Sequence, residues 1–309
     1  MSVYTTLTEN EFSALLTRYP LGKLLHFEGI QAGIENTNYY VSTTSGEYVF
    51  TLFETIQHQE LKFYVSLLDK LSAAGIACPQ PQRDLEQQII SEIHGKPFIF
   101  VDRLQGKSPE RINTVQCKAM ATELAKLHTT SIYFPEPLTN RRGTTWLETT
   151  AQCLSTAISV SDAQLIQREL SLYRALDQSL LPKSVIHADL FRDNALFVNN
   201  QLSGILDFYD ACYDTLLLDV AITVNDWCVN PSGTLNQNLY TAFLTEYQAR
   251  RPFTTKEQQQ WNLTLRQAAM RFWLSRLEAK NNPRPGVLTQ AKDPQLFKNI
   301  LLFHIQQGN

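Results

Sequence analysis

The hydrophobic period of the chain changes near residue 104, and that change limits the folds open to it. Before it, apolar residues come in short β-branched and aromatic runs. After it, they recur every three to four positions. Residues 39–43 and 47–53 flank Ser45-Gly46, a hairpin signal. Residues 59–74 have helical spacing through Leu61, Val65, Leu68 and Leu71 and stop at Gly75. Strands follow at 88–93 and 97–103, around His94-Gly95-Lys96. Beyond Gln105-Gly106 the spacing predicts helices over 114–128 and about 146–158, 162–179, 215–228, 235–249, 255–280 and 294–306. Strands are expected there only at 184–187, 195–199 and 202–208. The expectation is an α+β chain: a small antiparallel β-rich lobe over 1–104 and a large, mostly helical lobe over 105–309. Ligands favour the seam of such a pair.

A chain of 309 residues, 43% of them hydrophobic, can bury one large core or two moderate ones. Its net charge of −3 leaves no basic excess to neutralise a nucleic-acid backbone, so no nucleic-acid partner is expected. The five cysteines are scattered without a CxxC pair, which argues against a disulfide framework or zinc knuckle and for free thiols in a reducing compartment. Residues 1–10 carry no basic-then-apolar leader, and no apolar run reaches the roughly 20 residues that span a bilayer. A cytoplasmic protein with no membrane partner is expected, as a monomer or homodimer.

The chemistry concentrates in two stretches, Val185-Ile186-His187-Ala188-Asp189-Leu190-Phe191-Arg192-Asp193-Asn194 and Gly204-Ile205-Leu206-Asp207-Phe208. Each is an apolar run ending in polar residues. A hairpin turning at Asn199-Asn200 brings Asn194 and Asp207 toward the same end. Phosphoryl transfer needs such a cluster. Mg²⁺ prefers hard oxygen ligands, and a separate carboxylate must orient the attacking hydroxyl and accept its proton. Asp189 precedes Asn194 by five positions, the Asp-to-Asn separation of the protein-kinase catalytic loop, and Asp207 stands where that template has its second metal-binding Asp. The plainer alternative is a loop of turn-forming Asp and Asn residues. His187, at a strand end, reads as a group that holds the loop rather than as the base.

HADLFRDN and ILDF resemble the catalytic-loop motif and metal-binding Asp of the aminoglycoside phosphotransferase and choline kinase superfamily, which shares the protein-kinase-like two-lobed fold. More narrowly, FEGIQAGIENTNYYV, VFTLFE, VIHADLFRDNALF, GILDFYDAC, LDVAITVNDWC and RFWLSRL resemble the homoserine kinases built on that fold. The resemblance implies ATP and Mg²⁺ as cofactors, Asp189 as base, and Asn194 and Asp207 as metal ligands. It places Gly33, Asn36, Thr37, Asn38, Thr51 and Val101 around the nucleotide, with residues 33–38 as the turn over the phosphates. Asp219, amid apolar residues on a helix, would accept hydrogen bonds from the catalytic loop as structural support. One departure stands out. The strand position that carries the phosphate-clamping lysine in the kinase template is Thr51, which brings a hydroxyl but no charge. Either Lys62 or another cation compensates, or the phosphates are clamped more weakly.

The resemblance makes homoserine the acceptor. A zwitterion needs a cation or N–H donors for its carboxylate and acids or carbonyls for its ammonium. Arg192, Tyr209, Asp226 and Arg271 are the candidate substrate contacts, each arginine having a structural ion pair as its alternative. Arg271 and Arg276, five apart, do not share one helix face closely. A choline-like substrate would want an aromatic cage, for which Tyr209, Tyr213, Trp227 and Trp273 are available. The alternatives are thus a kinase of another amino alcohol or sugar or, from a different class, an inactive kinase-like binding module, which Thr51 alone favours.

Overall fold

The structure, a computed structural model, describes residues 4–30, 36–56, 58–131, 134, 138–282 and 292–308. It opens with helix α1 (Glu9–Leu16), which the spacing argument did not anticipate. Its signal lies in a capping box rather than in a long apolar period. Thr8 Oγ1 accepts from the Glu11 N–H at 3.3 Å, and Glu11 Oε2 accepts from the Thr8 N–H at 2.7 Å.

Strands β1 (Leu24–Gly29), β2 (Thr37–Thr43) and β3 (Glu47–Leu52) precede helix α2 (His58–Ala73), and β4 (Ser91–Ile93) and β5 (Lys96–Asp102) follow it. They form one antiparallel sheet in the order β1-β2-β3-β5-β4. Successive side chains of a strand point to opposite faces. One face carries Tyr39, Phe50, Phe98 and Phe100, packed with Phe12 of α1; the Phe12 and Phe50 rings meet edge to face at 5.2 Å. The opposite face carries Asn38, Thr51 and Val101. Asn38 pairs with Thr51, and Val49, two residues before Thr51, pairs with Val101.

The helical part comprises α3 (Thr114–Ser131), α4 (Thr144–Leu154), α5 (Val160–Arg174), strands β6 (Lys183–Ile186), β7 (Ala195–Val198), β8 (Gln201–Ile205) and β9 (Cys212–Thr215), then α6 (Leu216–Trp227), α7 (Gln237–Arg250), α8 (Thr255–Asn281) and α9 (Gln295–Gln307). β7 and β8 form the hairpin, with Asn199 and Asn200 both left-handed (φ 49° and 65°), the geometry a two-residue hairpin turn demands. β6 lies outside it and pairs antiparallel with β9, a strand not expected from the sequence. Four residues, Cys-Tyr-Asp-Thr, are too few to display a period. Helix α6 is apolar nearly all round, and every residue in it except Asp226 is buried.

The described residues fall into two compact units. One holds the residues up to Gly106 together with Ser203–Leu206; the other holds Lys107–Leu202 and the residues from Asp207 onward. Within the first, the Ile205 N–H donates to the Ala77 carbonyl at 2.7 Å. Among the described residues no helix is long and apolar enough to cross a membrane.

Candidate active site

β6 carries the chain into His187, Ala188 and Asp189, where the backbone makes a left-handed step at Ala188 (φ 65°). A non-glycine residue in that region is strained by about 1–3 kcal/mol and persists only where its surroundings hold it. Asp219 of α6 does the holding. Its Oδ2 accepts from the His187 N–H at 2.9 Å and its Oδ1 from the Ala188 N–H at 2.8 Å. A third bond to Asp219 comes from His128 Nε2 of α3 at 3.0 Å, and His128 Nδ1 meets the Tyr247 hydroxyl at 2.7 Å. Burial raises the Asp219 carboxyl, but the His128 bond and charge and the loop N–H outweigh it and hold it below the usual carboxylate range. His187 Nδ1 accepts from the Asp189 N–H at 3.2 Å, and its ring lies against Phe208 at 4.6 Å.

Downstream, Asn194 turns back on the same loop. Its Nδ2 donates to the Asp189 carbonyl at 2.8 Å and to Asp189 Oδ2 at 3.2 Å. Asp207 follows β8 by two residues, at the same end of the hairpin as Asn194, with φ 59°. Surrounding protein raises the Asp189 carboxyl well above its ordinary value, and the charges of Asp210 and Asp207 push it further; Arg271 and Arg142 oppose them. Three acids and two guanidiniums therefore share one electrostatic neighbourhood, although the Asp189 side chain keeps some solvent access.

Asp210 and Arg142 were not among the residues singled out by sequence. Arg142 Nε lies 3.8 Å from Asp210 Oδ1, and its NH1 donates to Ser275 Oγ at 3.2 Å. The available signals were slight: an acid three residues past Asp207, and the polar turn Asn140-Arg141-Arg142-Gly143 ahead of a helix. Arg271, on α8, is 2% exposed, and its Nε and NH1 are buried without a hydrogen-bond partner.

The other candidates lie as follows. Arg192 and Asp226 are each other's partners. Asp226 Oδ2 accepts from the Arg192 N–H at 2.8 Å and Nε at 3.1 Å, and Oδ1 accepts from NH2 at 3.2 Å. This pairing ties the catalytic loop to the end of α6 and is the structural ion pair that stood as the alternative for Arg192. Tyr209 is half-buried in the turn Phe208–Asp210. No cage forms from the four aromatic residues, because Trp227 and Trp273 are buried in the helical core, Trp227 donating from Nε1 to the Leu190 carbonyl at 3.1 Å.

In the first unit, Gly33 lies outside the described residues. Thr51 Oγ1 donates to Asn38 Oδ1 at 2.8 Å, and Asn38 Nδ2 to the Asn36 carbonyl at 3.3 Å, on the sheet face that also carries Val101. The structure does not bring Thr37 to that face. One residue of register turns it toward the aromatic core, where its Oγ1 donates to Glu54 Oε1 at 2.6 Å and accepts from the Tyr4 and Thr5 N–H. Glu54 in turn pairs with Lys96. Lys62 is exposed on α2.

The donor set at Asn194 and Asp207 fits a small divalent cation. With the Asn194 amide nitrogen engaged by Asp189, its oxygen end is the one left to ligate, and Asp207 adds a carboxylate; both are hard oxygen donors of the kind Mg²⁺ prefers. Among the described residues no three His, Cys, Asp or Glu side chains cluster as a metal cage. A Mg²⁺ that takes the rest of its ligands from water and phosphate needs none.

Comparison with known proteins gives one answer at two levels. Residues 26–253 match the phosphotransferase enzyme family. The homoserine kinase of Methylobacillus flagellatus is 42% identical over 301 residues, 97% of this chain and 94% of that protein. The homoserine kinase of Janthinobacterium sp. (strain Marseille) is 40% identical over 313 residues, covering 100% and 97%. Among solved structures, an amicoumacin kinase in complex with AMP-PNP, Ca²⁺ and Ami superposes with a TM-score of 0.72 over 97% of this chain and 94% of that one. At 14% identity that likeness speaks for the kinase-like fold alone.

Proposed function

The chain belongs to the phosphotransferase enzyme family, in the branch of its homoserine kinase relatives, and from that membership we propose that it phosphorylates the hydroxyl of L-homoserine with ATP. The observation that carries the reading is the Asp189–Asn194 contact inside a loop held by Asp219. A base for a weakly acidic alcohol must be aimed before the substrate arrives. Asn194 fixes one oxygen of Asp189, and the other, Oδ1, receives the hydroxyl proton as the alcohol oxygen bonds to the γ-phosphorus and the bond from that phosphorus to the bridging oxygen breaks, with ADP as the leaving group. The bound Mg²⁺ would neutralise phosphate charge, and Asn194 and Asp207 are the residues to hold it. Asn38, Thr51 and Val101, on one face of the sheet, line the nucleotide site in this reading. The Thr51–Asn38 pair offers polar contacts where a kinase lysine would offer charge.

The acid and guanidinium groups around Asp189 suit a small zwitterion. A quaternary ammonium would want the cage that Trp227 and Trp273, buried elsewhere, do not form. The test is ATP consumption by the purified protein with L-homoserine, L-serine, L-threonine, choline, ethanolamine and a sugar panel. Turnover with homoserine well above the others is expected. Turnover of choline or a sugar in its place would refute the acceptor, and nucleotide binding without any turnover would refute the activity.

A further inference from the structure

Arg271 is a buried cation with no ion-pair contact among the described residues. Two of its guanidinium nitrogens have no hydrogen-bond partner. Such a group is costly to bury unless something completes it; Arg251, whose NH1 also lacks a hydrogen-bond partner, is paired with Glu257 at 2.8 Å, and Arg266 is paired with Glu169 at 2.8 Å. Arg271 therefore stands out as a group whose partner arrives from outside. Its position fits that role. Ser275 is four residues on along α8, on the same helix face, and Arg142 donates to Ser275 Oγ at 3.2 Å. Arg271, Arg142 and Ser275 thus line one patch, and both arginine charges act on the Asp189 carboxylate.

We propose that Arg271 and Arg142 form the receptor for the acceptor's carboxylate and so make an α-amino acid, rather than an amino alcohol, the substrate class; this rests on the acceptor reading above. A guanidinium presents paired donors that match a carboxylate edge. The neighbouring acid, Asp210, lies 3.8 Å from Arg142 and supplies a partner for the acceptor's ammonium.

The test compares L-homoserine with 3-amino-1-propanol, the same alcohol without its carboxylate, and with 4-hydroxybutyrate, which keeps it. In the wild type kcat/KM favours homoserine over aminopropanol by at least about 100-fold, the discrimination a buried charged contact gives. In Arg271→Met that ratio falls toward unity, in Arg142→Met it falls partway, and Arg271→Lys, which keeps the charge without the fork, lies between wild type and Arg271→Met. KM for ATP stays within about twofold. An undiminished ratio in both Met variants, or a rise in KM for ATP with the ratio intact, would overturn the proposal and assign Arg271 to structure or to phosphate. Arg142 is only half-buried, so its variant keeps the test alive if Arg271→Met does not fold. A wild type that turns over none of the three alcohols would refute the homoserine reading by itself. Thermal shift then decides the receptor: homoserine and 4-hydroxybutyrate raise the melting temperature of wild type more than that of Arg142→Met, and equal shifts, or none, overturn it.

Discussion

At the scale of single residues, the proposed base sits where burial and the charges of Asp210 and Asp207 raise its carboxyl above the ordinary range. Asp189→Asn keeps the side-chain shape and the Asn194 contact but removes the proposed proton acceptor. We expect kcat to fall by roughly 10²–10⁴, the range of general-base contributions, with Mg-ATP affinity within a few-fold of wild type by calorimetry. Full activity in that variant would remove Asp189 from the base's role. His304 affects stability rather than chemistry. It is buried, its Nε2 meets Asn225 Oδ1 at 2.8 Å, and burial, helped by the Arg266 charge, pushes its pKa from 6.5 to about 4. The unfolded imidazole takes a proton below about 6.5 while the folded one resists until about 4, so acid favours the unfolded chain. Stability is highest above 6.5 and declines between 6.5 and 4, by at most about 3 kcal/mol. His304→Gln should flatten that limb in urea titrations across the window; an unchanged limb would assign the loss to other groups. Asp189, Asn194 and Asp207 could be read from the chain because their spacing is local. Asp210 and Arg142 could not, because nothing along the chain places residue 142 beside residue 210.

At the scale of elements, α6 acts as a ruler for the catalytic loop. Asp219 and Asp226 are seven residues, two turns, apart and so share a face. The first holds the N–H groups of His187 and Ala188, the second the N–H of Arg192, and Trp227 holds the Leu190 carbonyl. Asp189 lies between these anchors. Asp219→Ala would leave two loop N–H groups and His128 without their partner and should cost about 3–5 kcal/mol, the price of breaking a buried charged network. Asp226→Asn keeps an acceptor for the Arg192 N–H and should lower kcat with little change in denaturation midpoint. A midpoint loss for Asp226→Asn as large as that for Asp219→Ala would make both merely structural. The helices of the second half were legible because long amphipathic periods identify themselves. Helix α1 was missed because its eight residues rely on a capping box, and β9 because a four-residue strand is defined by its partner β6 rather than by its own pattern.

At the scale of the whole molecule, two compact units with differently built cores predict that different probes will see different unfolding events. All four tryptophans, Trp146, Trp227, Trp261 and Trp273, belong to the second unit, while the first is rich in phenylalanine and tyrosine. In urea, tryptophan fluorescence should report the second unit alone, and its midpoint should differ from that of far-ultraviolet circular dichroism. Coincident midpoints would mean one cooperative unit. The sequence by itself determined the longer strands and helices, the switch of period near residue 104, and the local spacing of Asp189, Asn194 and Asp207. These follow from side-chain alternation, helical period and turn chemistry, all of which act over a few residues. Only the tertiary structure decided that Ser203–Leu206 joins the first unit, that Thr37 turns from Asn38 and Thr51, that Arg192 is answered by Asp226, and that Arg271 makes no ion-pair contact among the described residues. Each of those depends on which distant residue fills the space opposite, and that is settled by packing the whole chain at once rather than by any stretch of it.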